Sequence, residues 1–207
     1  KMGVGCHIDE TYSLCVGSAD ISVFDMVAAY NTFPSKGVYV EPIFVTRIED
    51  SMGNALGEFN NSKKEAISEY TAYLMANLMQ GVVNSGTGIR LRAKYGLKGE
   101  IAGKTGTTND QSDGWFIGYT PSLTAGVWVG AEDRQVHFES LSLGGGSNMA
   151  LPIWGLFMQK VLQDGTLGVY ETDRFMAPPG ISLNLDCDGS DADAEIKAEE
   201  STDYFFE

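Results

Sequence analysis

The sequence predicts an α+β fold, in which an antiparallel sheet carries packed helices. The hydrophobic content of 43% is ample for a packed core in a chain of 207 residues. Three amphipathic segments with helical spacing alternate with segments that have the period of two typical of strands. No repeat or linker divides residues 1–183. We therefore expect one unit over residues 1–183, followed by a separate tail over residues 184–207.

Two of the predicted helices carry start signals. Ser22 with Asp25 three residues later predicts the first helix, which Pro34 would stop. Ser62 with Glu65 has the pattern of a second capping box ahead of a long amphipathic helix. The apolar positions of that helix are Ile67, Tyr70, Leu74, Leu78 and Val82.

Strand signals occupy two parts of the chain. Residues 38–50 and 51–59 read as two strands joined by a turn at Gly53 and Asn54. Three further strands, with short turns between them, predict an antiparallel meander over residues 99–131. A last helix follows a glycine-rich turn, with Pro152 near its first turn and Gly165 at its end.

The charge is strongly acidic and uneven. The net charge of −14 argues against nucleic acid as a partner, because nucleic acid requires a basic surface. Residues 184–207 hold nine acids and one lysine, and this composition predicts a solvated, disordered tail. Its four spaced aspartates lack the full spacing of a calcium loop, so an acidic tail is favoured over a metal site.

The three cysteines are too few and too scattered for a disulfide framework or a zinc site. Cys6 and Cys15 lie close enough in the sequence to pair with each other. The alternative, in which both are small buried hydrophobic residues, is at least as well supported.

A lysine stands among glycines and threonines in AGKTGTT, residues 102–108. A phosphate-binding loop would need a leading glycine where Lys98 stands and a helix after the lysine, and this chain has neither. A bare sheet edge, with Lys104 as a solubilising charge, is the simplest structural interpretation.

The neighbours of Lys104 favour a ligand-binding edge. Gly106 leaves room for the backbone of an extended peptide beside the strand. Thr105 and Thr107 offer hydroxyls, and Lys104 offers a cation, so the set suits a peptide that carries a carboxylate. Strict alternation sends Lys104 and Thr105 to opposite faces, so both can serve one site only at the edge of a twisted strand.

The segment AGKTGTTNDQSDGWFIGYTPSLTAGVWVG resembles the third motif region of penicillin-binding proteins, in particular the bifunctional class A enzymes. Three flanking segments are similar to the family in the same order: LCVGSADISVFDMVAAYNTFPSKGVYVEPIFVTRIED, GVVNSGTGIRLR and GGGSNMALPIWGLFM. The similarity covers about residues 10–180. It implies part of the transpeptidase fold shared with β-lactamases.

The resemblance also implies a chemistry. In the family, the serine of Ser-x-x-Lys attacks a D-alanine carbonyl of a peptidoglycan stem peptide, and β-lactams acylate the same serine. Lys104 would then be the catalytic cation that orients the donor carboxylate. Thr105 and the Thr107 hydroxyl would bind that carboxylate, the Thr107 N–H would donate to the oxyanion, and Gly106 would admit the peptide. The resemblance implies no cofactor or metal.

Two family motifs have no counterpart here. Ser-x-x-Lys does not occur in the 207 residues, and Ser-x-Asn occurs only at Ser182–Asn184, on the wrong side of Lys104. We therefore expect the nucleophile to lie upstream of Lys1, in a missing N-terminal part of the same protein that would also carry the membrane anchor. The resemblance then implies a location on the extracytoplasmic face of the bacterial cytoplasmic membrane.

Two alternatives remain beside a transpeptidase fragment that is inactive alone. The chain could be a non-catalytic module that binds peptidoglycan. It could also be a hydrolase that uses another serine, for which the candidates are Ser140, Ser142 and Ser147, although no histidine or lysine has suitable spacing to them.

Overall fold

The computed structural model describes residues 1–181. Its helices are α1 (Val23–Tyr30), α2 (Glu69–Asn84), α3 (Arg90–Ala93), α4 (Leu141–Gly144) and α5 (Ala150–Gln163), and its strands are β1 (Val38–Val40), β2 (Arg47–Glu49), β3 (Ala55–Glu58), β4 (Lys63–Glu65), β5 (Ala102–Thr107), β6 (Asp113–Tyr119) and β7 (Thr124–Gly130). Three short 3₁₀ helices complete the described secondary structure, at Tyr12–Val16, Asn109–Gln111 and Gly165–Leu167.

The main sheet is the antiparallel meander that the sequence predicts, in the order β5-β6-β7. Its register pairs Lys104 with Ile117 and Trp115 with Trp128. β1 pairs with β4, and β2 pairs with β3, in two further sheets of two strands each. The α+β class is therefore confirmed.

Helix α5 covers one face of the main sheet. Trp154 is fully buried, meets Phe116 edge to face at a ring distance of 5.3 Å, and donates its indole N–H to the carbonyl of Ala125 at 3.0 Å. Gly118 makes room for this tryptophan, because a Cβ there would lie 2.7 Å from the indole. This cluster fixes β6 and β7 against α5.

Helices α1 and α2 cover the other face. Ala76 and Met79 of α2 pack with Ala102 of β5 and Tyr119 of β6. A Cβ on Gly126 of β7 would lie 2.6 Å from the side chain of Val27, so α1 approaches β7 closely. The sheet is thus buried on both faces over its central part.

The first predicted helix cap is confirmed, and the second is wrong. Ser22 caps α1 by accepting a hydrogen bond from the backbone N–H of Asp25 at 3.0 Å. The segment after Ser62 instead forms β4, in which Glu65 pairs with Val38. Helix α2 starts six residues later, where Ser68 accepts from the N–H of Thr71 at 3.1 Å. Pairing with β1 overrides the local capping pattern.

The predicted single strand over residues 38–50 is also wrong. It is divided into β1 and β2, which belong to different sheets. Pro42 lies between them, and proline has no N–H to continue a ladder. The turn at Gly53 and Asn54 does form, and it joins β2 to β3.

Both cysteine alternatives are wrong for the described part of the chain. Cys6 and Cys15 are exposed, and neither forms a disulfide within residues 1–181. Over the same residues there is no cluster of His, Cys, Asp and Glu side chains suited to a metal ion, and no helix is long and apolar enough to span a membrane. The acidic tail, with its spaced aspartates, and the Ser182–Asn184 match lie outside the described residues.

Candidate active-site edge on strand β5

Strand β5 lies at the border of the main sheet. It pairs with β6, and no strand among residues 1–181 pairs with its other edge. Exposure changes along the strand, because Ala102 and Gly103 are buried, whereas Lys104 and Thr107 are exposed and the residues between them are half-buried. We call residues 104–107 the open end of β5.

The side chains of the open end alternate between the two faces, as the sequence predicts. Gly106 belongs with Lys104 on the face where a Cβ would meet Trp115, and Gly103 belongs with Thr105 on the face of Phe116. The ammonium of Lys104 nevertheless donates to the backbone carbonyl of Thr105 at 2.8 Å. The cation therefore lies beside the Thr105 peptide, although the two side chains start on opposite faces.

Lys104 keeps its charge available. No carboxylate in the described part of the chain lies within ion-pairing distance of its ammonium, and the side chain is exposed. An ammonium has three donors, and one of them is engaged by the Thr105 carbonyl. A ligand carboxylate could therefore accept from the remaining donors.

Each of the two threonine hydroxyls has one partner from outside the strand. The Thr105 hydroxyl lies 2.9 Å from the hydroxyl of Thr87, in the loop between α2 and α3. The Thr107 hydroxyl accepts a hydrogen bond from the backbone N–H of Gly146 at 3.0 Å. Loops from two other parts of the chain thus hold the open end.

Glycines allow these loops to approach. A Cβ on Gly146 would lie 2.2 Å from the carbonyl oxygen of Gly106, and a Cβ on Gly86 would lie 2.9 Å from Val82 in α2. The side chain of Arg90 joins the two loops, because it donates to the carbonyl of Ser147 and to the side-chain oxygen of Asn148. The glycine-rich sequences therefore serve close packing around β5.

The sequence singles out Lys104, Thr105, Gly106 and Thr107 as candidates, but it does not identify Thr87 or Gly146 as their partners. By local pattern, NSGTG (residues 84–88) is typical of the end of a helix, and GGG (residues 144–146) is typical of a turn. The family resemblance could have drawn attention to both segments, because both lie in the stretches that resemble the family. A distance between a loop and a strand 18 residues apart cannot be read from local pattern, however.

The alternative in which another serine acts as the nucleophile needs a general base, and the described residues offer none. The hydroxyls of Ser140 and Ser142 lie 2.9 Å apart and bond to each other. In residues 1–181, no lysine, histidine or carboxylate side chain forms a hydrogen bond with the hydroxyl of Ser140, Ser142 or Ser147. A serine nucleophile needs such a partner for activation.

The fold and this edge match one class of protein. The family model described as the penicillin-binding protein transpeptidase domain matches residues 7–140. Penicillin-binding protein 1A of Aquifex aeolicus is 33% identical over 186 residues, which are 89% of this chain and 24% of that protein. Penicillin-binding protein 1A of Clostridium acetobutylicum is 38% identical over 157 residues, which are 76% of this chain and 18% of that protein.

Solved structures agree on the fold. Penicillin-binding protein 1A from Haemophilus influenzae superposes with a TM-score of 0.71 at 22% identity, over 82% of this chain and 30% of that chain. PonA1 from Mycobacterium tuberculosis in complex with penicillin V superposes with a TM-score of 0.60 at 26% identity, over 73% of this chain and 41% of that chain.

The chain belongs to the transpeptidase-domain family of the class A penicillin-binding proteins. The family resemblance predicted from the sequence is confirmed. The chain spans about a quarter of the length of the Aquifex relative and less of the Clostridium relative.

Proposed function

We propose that this chain is part of a serine-type peptidoglycan DD-transpeptidase, in which the open end of β5 binds the donor stem peptide. The observation that carries the proposal is the open end of β5, where the exposed cation of Lys104 has no carboxylate partner in the described residues and donates to the carbonyl of Thr105. The hydroxyls of Thr105 and Thr107 on the same strand segment are held by loops from outside it. Membership of the transpeptidase family supports the reaction class.

In this reaction, a serine hydroxyl attacks the penultimate D-alanine carbonyl of the donor stem. The bond to the terminal D-alanine breaks, D-alanine leaves, and an acyl-enzyme forms. An amine of a second stem then attacks the ester carbonyl, which releases the serine and forms the cross-link. A β-lactam acylates the same serine when its ring amide opens.

The roles of the open end follow from its chemistry. Lys104 and the two hydroxyls are donors, so they can hold the acceptor-only carboxylate of the donor peptide. The backbone N–H of Thr107 would donate to the oxyanion that develops on the attacked carbonyl. Gly106 has no side chain, so an extended peptide can lie along the unpaired edge of β5.

The attacking serine belongs, in this proposal, to a part of the same protein outside the 207 residues, because the sequence contains no Ser-x-x-Lys. The chain alone would then be inactive. The partners of the whole protein would be peptidoglycan stem peptides and β-lactams, and it would act on the extracytoplasmic face of the cytoplasmic membrane.

Labelling with a fluorescent penicillin tests the proposal. We expect one covalent adduct on the full-length protein and none on the 207-residue chain at the same concentration, with the fold of each sample checked by circular dichroism. An adduct on the chain alone would contradict the missing nucleophile. A folded full-length protein that takes no label but binds stem peptide would instead support the non-catalytic module.

A further inference from the structure

We infer that Thr87, in the loop between α2 and α3, is a positioning residue that sets the hydroxyl of Thr105 to donate to the ligand carboxylate. The inference rests on the proposed function and deepens it. Thr87 contacts the carboxylate-binding side chain and would not itself contact the reacting atoms. Its hydroxyl oxygen lies 2.9 Å from that of Thr105.

The number of protons on each group decides which of the two hydroxyls donates to the other. A threonine hydroxyl donates one hydrogen bond and can accept two, whereas a carboxylate can only accept. Distance alone allows either hydroxyl of the Thr87–Thr105 pair to donate to the other. Once a carboxylate is bound, the hydroxyl of Thr105 donates its one proton to the ligand. Thr87 must then be the donor to Thr105.

The same arrangement holds at the second hydroxyl. The oxygen of Thr107 already accepts from the N–H of Gly146 at 3.0 Å, so its own proton remains free for a ligand. Thr87 at the hydroxyl of Thr105 and Gly146 at the hydroxyl of Thr107 therefore perform the same task. Each donates to a threonine oxygen from outside β5, and each leaves a proton directed away from the donor.

The loop that carries Thr87 is held in place before any ligand binds. The N–H of Gly88 donates to the carbonyl of Val82 at 2.8 Å, and Gly86 packs directly on the same residue. Arg90 fastens the other end of the loop to Ser147 and Asn148. The hydroxyl of Thr87 is thus preorganised, so orienting Thr105 costs little when the ligand arrives.

The test compares two ligands in the full-length protein. Benzylpenicillin carries the free carboxylate, and its methyl ester carries none. We expect Thr87→Val to slow acylation by benzylpenicillin about 5–10-fold, the effect of losing one hydrogen bond. Acylation by the ester should change less than about twofold, since the ester cannot use the oriented proton fully. Mass spectrometry over long incubations measures the slow reaction of the ester.

Two variants serve as controls. Thr87→Ser keeps the hydroxyl and should restore the rate for benzylpenicillin. Thr124→Val also removes one hydrogen bond between side chains, from Thr124 to Asn31 at 3.0 Å, but at the opposite end of the meander. It should leave both rates unchanged. Thr87 is exposed, and thermal unfolding verifies that each variant is folded.

A double-mutant cycle gives a second, independent measurement. In a Thr105→Val background, Thr87→Val should have no further effect on benzylpenicillin, because its target oxygen is gone. Equal losses for both ligands, no loss for either, or full additivity with Thr105→Val would each overturn the inference. If the unmodified full-length protein is not acylated at all, the proposed function fails instead.

Discussion

The two halves of β5 share one strand and one neighbour, yet they differ in almost every other respect. Ala102 and Gly103 are buried between helices, and their register partners are Tyr119 and Gly118. Lys104 and the residues after it pair with the same strand β6 but are exposed or half-buried. Helix α2 packs at the Ala102 end, whereas polar loops hold the open end.

Within the six residues of β5, the buried end is held by close packing and the open end by hydrogen bonds. At the buried end, Gly103 has no side chain, and this leaves room for the ring of Phe116. The glycine there therefore stabilises the fold. At the open end, the contacts are hydrogen bonds to threonine hydroxyls, and the cation has no carboxylate partner within residues 1–181. Substitutions at the buried end should therefore lower the stability of the fold, whereas substitutions at the open end should lower the rate of acylation.

The largest effect should come from Lys104→Ala at the open end. Loss of the cation removes a charged donor from the proposed site of the ligand carboxylate, and we expect acylation of the full-length protein by penicillin to fall about 10²–10³-fold. The melting temperature should change little, because the side chain is exposed. Acylation rates and thermal unfolding measure the two effects, and a normal acylation rate would remove Lys104 from the site.

At the buried end, Gly103→Ala should damage stability instead. The new Cβ would lie 2.8 Å from the ring of Phe116 and 2.9 Å from the backbone oxygen of Ile117, so the strands must shift. We expect a loss of about 1–3 kcal/mol in the free energy of unfolding, which urea titration of the chain measures.

A matched control for this substitution is Gly57→Ala in the exposed strand β3. A Cβ at Gly57 meets only the ring of Phe59, at an ordinary 3.6 Å. Its effect on unfolding should therefore be much smaller than that of Gly103→Ala. Equal effects at both glycines would contradict the packing argument.

Sequence alone predicted the meander and the residues of the open end, because both depend on local pattern. The period of two predicts the strands over residues 99–131. The glycines and threonines around Lys104 are unusual neighbours for a surface lysine, and they single out this residue. The contact between Thr87 and Thr105 depends on how the loop before α3 folds back over β5, which local pattern does not specify. The same limit explains Ser62, whose capping pattern yields to the pairing of β4 with β1.

Gly106→Ala should lower acylation more than stability, which is the opposite of the effect expected for Gly103→Ala. Its Cβ would lie 3.1 Å from the Cβ of Trp115, a tight contact with a side chain, so the loss of stability should be smaller. The added methyl group would stand on one face of the open end, beside the edge that the donor peptide would approach, and we expect acylation to fall about tenfold. An unchanged acylation rate, or a stability loss as large as that of Gly103→Ala, would contradict the division between the two ends.

The smallest effect concerns a buried carboxyl next to the open end. Asp113 begins β6, it is buried, and one of its carboxyl oxygens has no hydrogen-bond partner among the described residues. Burial raises the pKa of this carboxyl above its ordinary value of 3.8, and the nearby charge of Arg134 opposes the rise only in part. The protonated form is therefore favoured by the fold.

This direction fixes the sign of the pH dependence. A raised pKa means that the folded chain binds the Asp113 proton more tightly than the unfolded chain, so its contribution to stability is largest below 3.8 and declines as the pH rises through the raised value. Asp113→Asn removes this dependence. The stability of the variant relative to the unmodified chain should therefore improve from acid toward neutral pH, and urea unfolding across that window measures it. A relative stability that worsens over the same window would mean that the fold stabilises the carboxylate of Asp113, and it would contradict the raised pKa.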